Sequence, residues 1–144
     1  MYRHRKLLLT ILLIAVLVGI LAFPLSASAG RFKVERGFMF VPPNATTSYH
    51  LQVGKISVTI PPGALPRGGP VILTVISRRG GQFLADFRPD YQFAKPVLMD
   101  FGTAPVVYYW EHGQRVPIQT SDLDGDGEVG EILSDHFSRY SGWY

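Results

Sequence analysis

The stretch Val53 to Leu65, VGKISVTIPPGAL, decides the fold. Val53, Ile56, Val58 and Ile60 fall largely on alternate positions, the period of a half-buried β-strand. Pro61-Pro62-Gly63 stops that strand abruptly, and Ala64-Leu65 send the chain onward. The expectation is an amphipathic strand ended by a proline turn, with further strands assembled around it.

The sequence on either side agrees. Leu65-Pro66-Arg67-Gly68-Gly69-Pro70 is a turn, and Val71 to Ile76 is a β-branched run whose one polar break is Thr74. Such a run predicts a strand buried on both faces. Arg78-Arg79-Gly80-Gly81 reads as a charged turn, and Phe83 to Phe87 as a short strand closed by Arg88-Pro89-Asp90. In Pro96 to Phe101, residues Val97, Met99 and Phe101 share one face. Val106 to Glu111 is an aromatic strand, His112-Gly113-Gln114-Arg115 a four-residue hairpin turn, and Val116 to Gln119 its return. An acidic loop, Ser121 to Gly127, precedes strands at Val129 to Leu133 and His136 to Tyr140. Upstream, Phe38 to Val41 and Tyr49 to Gln52 are strand-like. No stretch after residue 30 combines a 3.6 period with helix caps. Seven to nine short strands with Gly and Pro turns predict an all-β, antiparallel β-sandwich.

The N-terminus has a different character. Arg3, Arg5 and Lys6 precede an apolar run from Leu7 to Phe23, Pro24 breaks it, and Ala27-Ser28-Ala29 supplies small residues at a cleavage site. This is the pattern of a secretory signal peptide, residues 1–29, cut after Ala29. Residues 30–48 then form an N-terminal linker or edge strand, and 49–144 the sandwich. If the segment were kept as an anchor, membrane contact would come through it alone.

Three of the fourteen Lys and Arg lie in that segment, so the eleven that remain balance eleven acids. The net charge of +3 therefore gives no reason to expect a nucleic-acid partner. The mature chain is long enough for one cored domain and has no cysteine, which points to a bacterial envelope: periplasm, cell surface or medium. Strands cut by prolines and shorter than about 9–11 residues disfavour an outer-membrane barrel.

Taken together, these strings resemble a known family. Lys55 to Leu65 followed by Val71 to Ile76 is similar to the signature of ZU-five domains, the β-sandwiches of ankyrins, netrin receptors and junction scaffolds, with looser relatives among bacterial secreted proteins. The likeness extends to Phe93-Ala94-Lys95-Pro96-Val97, to the Tyr108-Tyr109-Trp110 hairpin and to His136-Phe137-Ser138-Arg139-Tyr140, and so covers most of residues 50–140. It implies an interaction or structural module.

Two constellations could carry chemistry. Asp122-x-Asp124-x-Asp126-Gly127 matches the start of an EF-hand-type calcium loop, with Glu128 offering its backbone carbonyl and Val129 at the usual apolar position. The bidentate carboxylate due at position 12 is replaced by Leu133, and Glu131 and Asp135 stand at other positions. Three Asp and one carbonyl fall short of the six or more oxygens calcium takes, unless water or another loop contributes. The plain alternative is a soluble turn built on Asp and Gly.

The second constellation is His136-Phe137-Ser138. Some members of the resembled family cut themselves at such a string: the serine hydroxyl attacks the phenylalanine carbonyl, the histidine assists proton transfer, and water hydrolyses the ester. The alternative is a terminal strand with Phe137 in the core and its neighbours outside. Cleavage between Phe137 and Ser138 would free no downstream domain.

Tyr108, Tyr109, Trp110, Trp143 and Tyr144 could stack on glycans, although aromatics in sandwich strands are usually core. His50 and His112 have no partner at metal-ligand spacing, and Gly68-Gly69 and Gly80-Gly81 precede no helix that could cradle phosphate. The reading is an exported, non-enzymatic interaction or structural module of the cell envelope, with calcium as its one candidate cofactor and an envelope protein or surface glycan as partner. Its alternatives are the self-cleaving domain and a glycan or surface-layer binder.

Overall fold

The computed structural model describes residues 31–144; the predicted signal peptide lies outside them. The regular structure described is all β, in two antiparallel sheets that form a sandwich. The strands are β1 (Phe32–Val41), β2 (Tyr49–Val53), β3 (Ile56–Ile60), β4 (Gly69–Arg78), β5 (Gln82–Arg88), β6 (Gln92–Asp100), β7 (Val106–Glu111), β8 (Gln114–Gln119), β9 (Glu131–His136) and β10 (Arg139–Trp143). One sheet has the order β1-β4-β5-β10-β7-β8, the other β2-β3-β6-β9.

The deciding stretch contains a turn that alternation concealed. Val53 ends β2 and pairs with Ile56 at the start of β3, so Gly54-Lys55 is a two-residue hairpin loop. Gly54 has φ 61°, in the left-handed region that glycine adopts without steric cost. Beyond β3, the amide of Ala64 donates to the Pro61 carbonyl at 3.1 Å, and Gly63 takes φ 77°. Proline at the second position and a left-handed glycine at the third make a type II turn. Ala64 and Leu65 are thereby delivered into the core. Lys95 and Ala94 on β6 donate to the carbonyls of Pro62 and Ala64, which ties this turn to the middle of the small sheet.

Between the sheets lie the alternating residues of both inner faces. Val71, Leu73 and Val75 of β4 and Phe83, Ala85 and Phe87 of β5 meet Ile56, Val58 and Ile60 of β3 and Val97 and Met99 of β6. Phe87 contacts the rings of Phe101, Phe137 and Tyr140 and is fully buried. Aromatic contacts of this kind add about 0.5–1.5 kcal/mol each beyond the area they bury.

Three local expectations are revised. Among the described residues ten strands replace seven to nine, because the run from Tyr49 to Ile60 divides in two at Gly54-Lys55. The hairpin after β7 has a two-residue loop, His112-Gly113, both with positive φ, since Glu111 already pairs with Gln114. β4 is buried on its inner face only: Ile72, Thr74 and Ile76 are half-buried, on the outer face of the large sheet.

Candidate functional site

The acidic loop, residues 122–130, joins β8 of the large sheet to β9 of the small one. Its base is clamped by Ser121 and Glu131, which exchange both backbone hydrogen bonds at 3.0 Å. The hydroxyl of Thr120 also donates to the Ala104 carbonyl at 2.6 Å. Within the loop the carboxylates accept backbone amides in sequence. Asp122 receives Gly125 at 2.7 Å and Gly127 at 3.1 Å, Asp124 receives Asp126, and Asp126 receives Glu128. Gly125 and Gly127 take φ 82° and 93°, which lets the chain curl around the carboxylate of Asp122.

Among the described residues, the group able to hold a metal is Asp122, Asp124 and Glu131, whose ligand oxygens lie within 4.8 Å of one another. Asp122 and Asp124 belong to the set expected from the sequence; Asp126 and Glu128 are exposed and outside this group. Glu131 stands two residues short of position 12, where the calcium-loop pattern places its acid. The Ser121 clamp folds the first residue of β9 back beneath the loop, where its carboxylate accepts the amides of Leu123 and Asp124. Glu131 is 3% exposed, the only buried charged residue among the described ones.

Asp100 lies directly opposite Glu131 in the β6–β9 register. No sequence signal separates it from an ordinary strand-end aspartate. Burial raises the affinity of Glu131 for its proton, and the charges of Asp124 and Asp100 raise it further, against the lowering effect of its two amide donors. Asp100 is likewise shifted up, first by burial and then by Asp126 and Asp124, while the Gly102 amide at 2.7 Å lowers it. A cation would relieve this crowding of negative charge. Three carboxylates together with loop carbonyls and water suit a hard, oxygen-loving divalent ion.

The second constellation occupies the crossing from one sheet to the other. His136 ends β9 in the small sheet, and Arg139 begins β10 in the large one, so Phe137-Ser138 is the sandwich corner. Phe137 is buried against Phe87 and edge-on to Phe93, with centroids at 5.3 and 4.7 Å. Its amide donates to the Tyr91 carbonyl, and the Ser138 carbonyl accepts from Phe87. Nδ1 of His136 is engaged by Asp135 at 2.7 Å. The backbone at residues 136–138 has neither positive φ nor a cis bond.

The aromatic candidates separate by face. Tyr109 packs against the core, and Tyr144 stacks on Phe83 with centroids 4.8 Å apart. Tyr108, Trp110 and Trp143 belong to the outer face of the large sheet, Trp110 and Trp143 being exposed. The chain matches no protein-family model, no curated protein and no solved structure.

Proposed function

We propose that the protein is an exported, non-enzymatic binding module of the bacterial cell envelope, on a ZU-five-like scaffold, with calcium stabilising the loop around Asp122, Asp124 and Glu131. The observation that carries the binding role is the outer face of the six-stranded sheet. Phe32, Val34, Phe38, Phe40, Trp110 and Trp143 stand exposed on it. Large apolar groups exposed together on one face mark interaction surfaces. Export is supported by the charged, apolar and small-residue segments of residues 1–29. The calcium assignment is supported by the buried carboxylate of Glu131 beneath two aspartates, with affinity in the weak range of extracellular modules.

Fractionation and co-sedimentation test this reading. The exported protein should begin at Gly30, and when purified it should sediment with washed bacterial envelopes in calcium. An N-terminus at Met1 would replace the cleaved form with an anchored one. Failure to sediment with envelopes in either calcium or chelator would refute the binding role.

A further inference from the structure

The outer face of the large sheet is basic as well as apolar. The strand registers place Arg36 of β1, Arg78 of β4, Arg88 of β5, Arg139 of β10 and Arg115 of β8 on it, against one strand carboxylate, Asp86. Asp86 is taken up by Arg88 at 3.2 Å and Arg139 at 3.5 Å, and Arg88 also binds Asp90. Arg78 and Arg115 form no ion pair among the described residues. Both are held on aromatic rings instead. Arg78 lies over Phe32 at 4.7 Å, and Arg115 over Tyr108 at 4.4 Å and Trp143 at 5.8 Å. Stacking fixes the plane of a guanidinium and leaves N–H donors along its edge, a pre-organised receptor for an anionic oxygen pair.

These two arginines line one groove of about 230 Å³, together with Trp110, Gln82 and Ser141. Trp110 also borders a second depression that holds Arg88 and Arg139. A half-exposed indole thus stands between a hollow with two arginines free of ion pairs and one whose arginines are engaged by Asp86 and Asp90. Gln82 and Ser141 accept from Arg78 at 3.4 Å and from Arg115 at 3.5 Å, so a ligand that fits has a flat C–H face for the indole and an anion for the remaining guanidinium N–H groups.

We propose that this groove binds an anionic sugar unit of an acidic envelope polysaccharide. The sugar stacks on Trp110, and its carboxylate or phosphate lies between Arg78 and Arg115. The proposal rests on the envelope-binding reading and names its ligand class. A phospholipid surface suits the groove less well, because its headgroup phosphate offers the arginines an anion but gives Trp110 no flat ring to stack on.

Calorimetric titration of the exported protein with polygalacturonate and with poly(glycerol phosphate) separates the carboxylate from the phosphate source. Dextran serves as the neutral control, and phosphatidylglycerol vesicles as the lipid arm. Saturable binding to at least one polyanion is expected, with none to dextran. Arg115→Ala should weaken it about tenfold, as loss of a charged hydrogen-bonding partner implies. Arg78→Ala should act similarly, and Trp110→Ala should weaken binding even in high salt, where pure charge attraction is screened. Each variant is checked by its melting temperature; should Trp110→Ala fail to fold, Trp110→Phe takes its place.

Polyanion binding that vanishes in salt and ignores Trp110 would overturn the proposal, as would preference for the vesicles or absence of binding to both polyanions. If the protein still sediments with envelopes while both polyanions fail, the ligand assignment falls and the envelope reading stands. If envelopes are not bound either, both fall.

Discussion

Replacing Glu131 with glutamine distinguishes a calcium site from a turn that merely carries three aspartates. The glutamine keeps the shape of the side chain and an oxygen able to accept the amides of Leu123 and Asp124. It removes one charged ligand and the repulsion from Asp124 and Asp100. In chelator the variant should therefore be at least as stable as the wild type. In calcium the order should reverse. A site with Kd of about 10⁻⁴–10⁻³ M, at about 10 mM calcium, adds about 1.4–2.7 kcal/mol by mass action. At about 4 °C per kcal/mol for a domain of this size, the wild type should melt about 6–11 °C higher in calcium than in chelator. A tenfold weaker site would lose roughly half of that shift or more. Thermal melts by circular dichroism, with magnesium as the divalent control, read both effects. Asp126→Asn should keep most of the shift, because Asp126 stands outside the group formed by Asp122, Asp124 and Glu131. Equal melting temperatures in calcium and chelator would refute the site; an unchanged shift in Glu131→Gln would refute the role given to Glu131.

Three further outcomes probe the scaffold. Gly130→Ala would drive a Cβ into the backbone of Gly102, and neither strand end can give way cheaply, so urea unfolding should show a loss of about 3 kcal/mol; near-wild-type stability would mean that this close approach is not needed. Burial pushes the Tyr144 phenol up to about 12, so the unfolded chain loses that proton first, and the stability present below pH 10 should drain away as pH rises from about 10 towards 12. Tyr144→Phe should flatten that decline in urea titrations at pH 9 and 11, and an equal decline in both proteins would exclude Tyr144 as its source. Mass spectrometry in denaturant should find the chain continuous to Tyr144; denaturing conditions matter because β10 lies between β5 and β7 and would stay bound after a cut before Ser138. A mass lacking residues 138–144 would make the protein self-cleaving.

Strands with one face in the core were legible because alternation maps directly onto burial, as at Phe83, Ala85 and Phe87 or at Val97 and Met99. The proline turn was legible too, since Pro62 and Gly63 each fix the backbone they occupy. Where the sequence misled, two physical situations share one pattern. Val53 and Ile56 are three apart, a break in alternation that marks the Gly54-Lys55 hairpin but passes for irregularity inside one strand. Phe137 reads as core either in a continuous strand or at a corner between sheets, and only the change of partner from β6 to β5 separates these.

The unbroken apolar run of β4 is the most instructive case. It predicts cover on both faces, yet Ile72 and Ile76 look outward beside Phe38 and Val34. Hydropathy records how a residue avoids water and says nothing of whether its cover belongs to the same chain. A strand apolar on both sides but covered on one is therefore how a binding face enters a sequence. Glu131 presents the converse, a charge at a position that pairing buries, and pairing between β6 and β9 is not written in the local sequence. At both places residue type disagrees with the burial expected of it, and at both the proposed occupant, a cation at the loop or a ligand upon the sheet, would relieve the disagreement.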